Sequence, residues 1–335
     1  GDALDVGSYN QVLGTAALTD DTKGSRAVAI GHAALFSQNF TSATDNYNVA
    51  IGHNAGLAVT TGIQNTLLGG LAGDALTDAD DNVAVGMVAL STDTLGSRST
   101  AIGKAALSTQ NFTSATQSNN VAVGYHAGSA VTTGVNNILI GAEAGLDLTT
   151  GERNICIGTI SGEEITTADD CIAIGFRSGG GDAGSATTGH DNISIGTATA
   201  QALTTGHSNI VVGRSAGESV TEGHSNVIIG YKAGTANDDM SGETPLSTGT
   251  NNVLVGTKCQ TGSASADAQI AMGFECNGAS NTSLTFGKAA TDSNIDFGAT
   301  SVTAPSDERY KENITTSTAG LSFINDLRPV TFKWK

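Results

Sequence analysis

Aromatic side chains are nearly missing from this sequence, at 4% of 335 residues, and only 14% of positions are charged. A compact domain of this length fills its core with large side chains, so one thick hydrophobic core is excluded. The apolar fraction of 39% is carried mainly by Ala, Val, Ile and Leu, which suits many thin layers. Basic residues are also scarce. Fifteen Lys and Arg face 32 Asp and Glu, a formal net charge of −17 that would repel a phosphate backbone or an anionic membrane surface. No run of 18 apolar residues exists, so no helical membrane span is expected. The four cysteines contain no Cys-x-x-Cys spacing that would suggest zinc. No initiator Met or signal peptide stands at the start and Gly1 begins mid-pattern, so the chain reads as a piece of a longer polypeptide whose N-terminus says nothing about localisation.

What is abundant is glycine, 44 residues, and it is periodic. The phrase Asn-apolar-small-apolar-Gly recurs, for example as Asn48-Val-Ala-Ile-Gly52, Asn65-Thr-Leu-Leu-Gly69, Asn137-Ile-Leu-Ile-Gly141 and Asn226-Val-Ile-Ile-Gly230. Its closing glycines fall at 14, 31, 52, 69, 86, 103, 124, 141, 158, 175, 196, 213, 230, 256 and 273, mostly in steps of 17. Steps of 21 at 31 to 52, 103 to 124 and 175 to 196 add a second period of 72 residues: every fourth coil carries a four-residue insertion. The segments 34–44 and 106–116 are near copies, and the step from 230 to 256 is a larger insertion. After Gly273 the steps shorten to 14 and 11, at Gly287 and Gly298, which marks the end of the stack.

Val and Ile in apolar-small-apolar alternation, closed by Gly and followed by Thr-Thr-Gly at 60–62, 132–134, 149–151 and 204–206, are strand and turn signals. A 17-residue unit cannot bury its own face, but stacked copies pair strand on strand around a continuous interior. The expected fold is all-β, a parallel β-solenoid or β-roll of about fifteen 17-residue coils. At about 4.8 Å per coil it makes a rod roughly 70 Å long. Three residues past each closing glycine sits a small residue, such as Ala55, Ala127 or Ser161, an inward position; the next is often Gly, as at 56, 73 and 128, a corner needing positive φ. The Asn at the head of each strand is expected to form a ladder, its amide bonding one coil away.

The Asn-Val-Ala-Ile-Gly-x-x-Ala-Gly phrase resembles the head repeats of trimeric autotransporter adhesins, which form left-handed parallel β-rolls in threes, although those repeats are usually 14 long. The 17-residue version with its 72-residue superperiod looks like the shafts of bacteriophage tail fibres. The resemblance covers about residues 8 to 298 and implies an elongated homotrimer.

At the other end, Ser306-Asp307-Glu308-Arg309-Tyr310-Lys311-Glu312-Asn313-Ile314 is similar to the opening of the endosialidase-type intramolecular chaperone, Ser-Asp-x-Arg-Leu-Lys-x-x-Ile, and Leu327-Arg328-Pro329-Val330 also fits. That family's chaperone trimerises, helps the preceding fibre to wind and then cuts itself off. The resemblance implies a scissile bond at Pro305-Ser306, with Ser306 as nucleophile, Lys311 as general base and Asp307 in support. A Lys in a poorly solvated site can activate a Ser hydroxyl without a His. Tyr310 departs from the family's Leu, and the family's domain continues for about a hundred residues beyond the point where Lys335 stands. The implied layout is a shaft over 1–298, a linker over 299–305 and a truncated chaperone over 306–335.

Other candidates are weighed against plainer readings. Cys259 and Cys276 are 17 apart in the small inward register, within reach of a disulfide across adjacent coils, but read first as small buried hydrophobes; Cys156 and Cys171 occupy different registers. His190, His207 and His224, also 17 apart, would stack along one edge and are weak candidates for a transition metal, against a repeated exposed turn residue. The acidic groups Asp78, Asp80, Asp81 and Asp238, Asp239 read as solvated loops rather than calcium sites. The sequons at Asn39, Asn111, Asn281 and Asn313 read as chance and repeat copying. No cofactor is expected.

The expected function is structural: a phage tail fibre in a virion, whose partners are two further copies of itself, a host-surface glycan or protein receptor, and other tail-fibre or baseplate proteins, with no nucleic acid and no membrane insertion. A bacterial trimeric surface adhesin is the alternative, and a glycan depolymerase fibre a third reading.

Overall fold

The computed structural model describes residues 3–180, 186–235, 245–288 and 292–298. Its architecture is a parallel β-solenoid without α-helices among the described residues. Each Asn-apolar-small-apolar-Gly phrase contributes one short strand, such as Val49–Ile51, Thr66–Leu68 and Val83–Val85, paired in register with the strands one coil before and after: Ala50 faces Leu67 and Leu67 faces Ala84. The strands are mostly three residues long, shorter than the five of the sequence phrase: the closing Gly turns out of the extended conformation, and the residue before the Asn, such as Gln64 or Asp81, is left-handed. The sheet so built has seventeen strands. The stack runs one coil further than fifteen, since Ser283–Lys288 still pairs parallel with Ile270–Phe274. The last glycine step, to Gly298, is not a coil: Ser293–Asp296 folds back antiparallel onto Ser283–Phe286.

Why the glycine column is invariant follows from coil spacing. Gly52, Gly69, Gly86 and their equivalents sit at φ between +130° and +148°, and a Cβ on any of them would strike the carbonyl group of the glycine one coil on. Most coils turn three more left-handed corners after it, at the second and fourth residues, for instance Asn54 (φ 57°) and Gly56 (φ 60°), and at the residue before the next strand-head Asn, for instance Gln64 (φ 59°).

The interior is narrow. Its inward positions are the middle residue of the strand and the third, fourth and seventh residues past the glycine. The third-position residues from Ala17 to Cys276 are all essentially without solvent exposure, as their small size predicts. In several coils the fourth position trades volume with the strand: where the strand offers Ala29, Ala84 or Ala101, the corner carries Leu35, Leu90 or Leu107, and where it offers Leu67, Leu139 or Val211, the corner is Gly73, Gly145 or Gly217. A Cβ on Gly73 would lie 2.7 Å from Leu67 Cδ2, so one coil cannot hold both large groups. The leucines at φ near +50° accept a strained backbone in return for filling the core.

The asparagine ladder forms, with a refinement. Asn48 Oδ1 accepts the backbone N–H of Asn65 at 2.9 Å, Asn65 Oδ1 that of Asn82 at 3.0 Å, and each Nδ2 donates to a carbonyl across the coil, Asn48 to Gly62 at 2.8 Å and Asn65 to Ala79 at 2.7 Å. The amides therefore bond mainly to backbone. Side-chain to side-chain bonds join only the later members, as from Asn226 Nδ2 to Asn209 Oδ1 at 3.0 Å. All are buried, so each Asn satisfies backbone groups that the corner leaves orphaned.

Candidate functional site

Three features of the rod offer function: its outer sheet face, its periodic insertions and its C-terminal segment. On the sheet face the strand pattern is inverted relative to a simple core. The small middle residue points inward, and the two flanking apolar residues point out. Val49 and Ile51, Val121 and Val123, and Ile172 and Ile174 are only half-buried, while Leu68, Ile102, Ile138 and Ile140 are exposed, Ile140 at 38%. Two parallel columns, of Val, Ile and Leu apart from Thr66 and Thr100, thus run along the sheet from Val28 and Ile30 to Val253 and Val255. A contiguous apolar band of this length is foreign to a soluble monomer.

The four-residue insertions occur where the asparagine ladder breaks. The strand-head position holds Ala27, Ser99 and Cys171 instead of Asn, 72 residues apart, each in the coil before an insertion. At the first two of these breaks the seventh inward position carries a buried polar pair. Gln38 Nε2 donates to Asp21 Oδ2 at 2.7 Å while Gln38 Oε1 accepts from Asn48 Nδ2 at 2.8 Å, and Gln110 joins Asp93 at 2.6 Å and Asn120 at 2.8 Å in the same way. Asp21 and Asp93 have no solvent exposure, and their other oxygens accept the N–H of Gly24 at 2.9 Å and of Gly96 at 3.0 Å. The inserted residues then pair as small parallel ladders, Gly24–Ser25 with Thr44–Asp45 and Gly96–Ser97 with Thr116–Gln117, pinned by the buried rings of Phe40 and Phe112.

The two decorations differ at the surface. In the first, Arg26 Nε meets Asp45 Oδ1 at 3.0 Å, with its guanidinium 5.4 Å from the Tyr9 ring and 5.7 Å from that of Tyr47. In the second, Gln117 stands in place of Asp45, Arg98 lies 3.9 Å from Asp81, and an open hollow of about 200 Å³ remains between Asp80, Asp81, Ser97, Arg98 and Ala115–Gln117.

Among the histidines, His207 and His224 stack with centroids 4.7 Å apart, but His190 turns to the neighbouring coil, its Nδ1 accepting the N–H of Asp169 at 2.9 Å. Among the described residues no group of three or more His, Cys, Asp or Glu could hold a metal ion. Asp78 is occupied by the hydroxyls of Thr60 and Thr61, which hold its carboxyl below the ordinary value, and Asp80 accepts the N–H of Ile63 at 2.8 Å. Asp238 and Asp239 lie outside the described residues, as do Pro305, Ser306, Asp307 and Lys311. The four cysteines are free and buried.

Sequence reasoning missed both the outward apolar columns and the Asp–Gln pairs. The signals were present: an interior lined by Ala at two positions is too thin to take Val and Ile from both sides of the same strand, and Asp, Gln, Val, Leu recur in that order at the seventh position from 21 to 76 and again from 93 to 148.

Residues 306–335 match the family model described as chaperone of endosialidase. No curated protein matches the chain, and no solved structure does. A β-solenoid that leads into a segment of this kind fits a phage fibre-like protein.

Proposed function

We propose that the chain is the shaft of a homotrimeric phage tail fibre that takes part in host attachment and is matured by self-cleavage between Pro305 and Ser306. The observation that carries the reading is the pair of outward Val/Ile/Leu columns. Three copies turned toward a common axis would cover those columns while leaving the insertions facing outward. The band carries no charge along the strands Val121–Val123 to Ile210–Val212, so the −17 charge of each chain would stay on the outer faces. The chaperone match supports the second part, with Ser306 as nucleophile, Lys311 as general base and Asp307 in support.

Multi-angle light scattering on the protein expressed with a complete chaperone should give three times the mass of the processed chain; a stable monomer would sink the assembly. In the same gene, Ser306→Ala should leave one uncut band on a denaturing gel. Continued processing would refute the assignment of the nucleophile.

A further inference from the structure

Cys259 and Cys276 stand in the same inward register of consecutive coils, three residues past Gly256 and Gly273. Gln260 pairs with Asn277 in the parallel sense, and its N–H bonds the Cys276 carbonyl at 2.8 Å, so the two cysteines are neighbours across one ladder step. Parallel neighbours lie about 4.8 Å apart, inside the Cα separation that a disulfide spans. Both thiols are free and fully buried, and the Cys259 thiol donates to the Val255 and Gly273 carbonyls at 3.4 and 3.0 Å. Contact with Cys276 holds the Cys259 thiol below its ordinary pKa in spite of burial. The other two cysteines show what burial does without such a partner. Cys156 sits mid-strand and Cys171 at the head of the next strand, and loss of water pushes their thiols up to about 12 and about 11.

We propose that Cys259 and Cys276 are an oxidation site, closing to an intrachain disulfide when the folded shaft meets hydrogen peroxide. The Cys259 thiolate attacks one peroxide oxygen, the O–O bond breaks, and the departing hydroxide takes up a proton to leave as water, giving a sulfenic acid. The Cys276 sulfur then attacks the Cys259 sulfur, the S–O bond breaks, and a second water leaves with the Cys276 proton. One peroxide is reduced to two waters while two thiols become one disulfide. Hydrogen peroxide is small enough for a site closed to solvent, and neither sulfur has to leave its coil. The bond ties together two coils next to the final parallel strand Ser283–Lys288 and its antiparallel cap, at the end of the stack.

The test treats the reduced full-length chain with hydrogen peroxide, then denatures it, alkylates it and digests it at Asp267 and Glu275, which lie between the two cysteines. The expected result is loss of two of the four thiols, a mass lower by two hydrogens, and one linked peptide pair holding Cys259 and Cys276, with Cys156 and Cys171 fully alkylated. In Cys276→Ser, with circular dichroism confirming the fold, Cys259 should stop at the sulfenic acid and be trapped by dimedone. Four intact thiols after treatment, sulfinic acid at either residue in the unaltered chain, or a link through Cys156 or Cys171 would each overturn the proposal.

Discussion

Substitution of Asn137 by Ala isolates what one rung of the asparagine ladder contributes. The side chain is fully buried; its Nδ2 donates to the Gly151 carbonyl at 2.9 Å and its Oδ1 accepts the Asn154 N–H at 2.9 Å. Alanine removes both partners and leaves two backbone groups dry and unbonded. At about 1–3 kcal/mol for each stranded group, the local loss is about 2–6 kcal/mol. Coils contact only their neighbours, so the damage should stay within one coil on either side rather than lowering the whole rod uniformly. Hydrogen exchange read residue by residue is therefore the right assay. At about 1.4 kcal/mol per factor of ten, the Asn154 amide should exchange at least roughly 30 times faster. Gln117→Ala, at an exposed side chain, serves as the control and should change exchange by less than about 0.5 kcal/mol. A change at Asn154 of less than about threefold, or one spread evenly along the rod, would mean that the ladder satisfies nothing that water could not, against the desolvation argument.

The glycine column gives a sharper contrast. Gly141→Ala places a Cβ 2.5 Å from the Gly158 carbonyl carbon at φ +136° and should cost more than about 2 kcal/mol, whereas Gly70→Ala, with nothing within 4 Å, should be nearly silent in thermal unfolding. Ile138→Asp combined with Ile140→Asp should leave the coil folded by circular dichroism and shift light scattering from trimer to monomer; an unchanged trimer would exclude the columns as the interface. Burial and the carboxylates of Glu164, Asp147 and Glu143 raise the Glu163 pKa. A carboxyl whose folded pKa is raised binds its proton more tightly when folded, so its contribution to stability falls as pH rises through that raised value. Glu163→Gln should flatten the decline of the unfolding midpoint between about pH 4 and 7, and an unaltered slope would remove Glu163 as its source.

How far the sequence foretold this molecule depends on whether a feature repeats at every coil or only at every fourth. Coil length, the closing glycine, the small inward residue and the left-handed corner recur at nearly every turn, and each records one local constraint, the approach of two backbones. They were therefore legible. Strand direction was not, because Val-Ala-Ile alternation is the same string whether Ala or Val faces in; only the thinness of the interior decides it, and that is a property of the closed coil. The ladder breaks at Ala27, Ser99 and Cys171 escaped notice because three unlike residues replace Asn, and what adjoins the first two, an insertion that supplies Gln38 and Gln110, lies in another coil. Along the histidine line two rings stack, while the third answers to the acid beneath it.

The Asp–Gln interlocks bear on a problem that any stack of near-identical units faces during folding, which is keeping count. Most coils could exchange neighbours with small loss, since a 17-residue slip sets Gly on Gly and Asn on Asn. Asp21 and Asp93 forbid it. Each has one oxygen bonded within its own coil, but the side-chain donor for the other lies in the coil that follows, at Gln38 and Gln110; displaced by one turn, that oxygen would face Val59 or Val131 instead. A carboxylate shut in among aliphatic side chains is one of the most unfavourable arrangements a protein interior can hold. The two buried acids act as address marks on an otherwise repetitive chain, making a miscounted coil far costlier than any single lost contact.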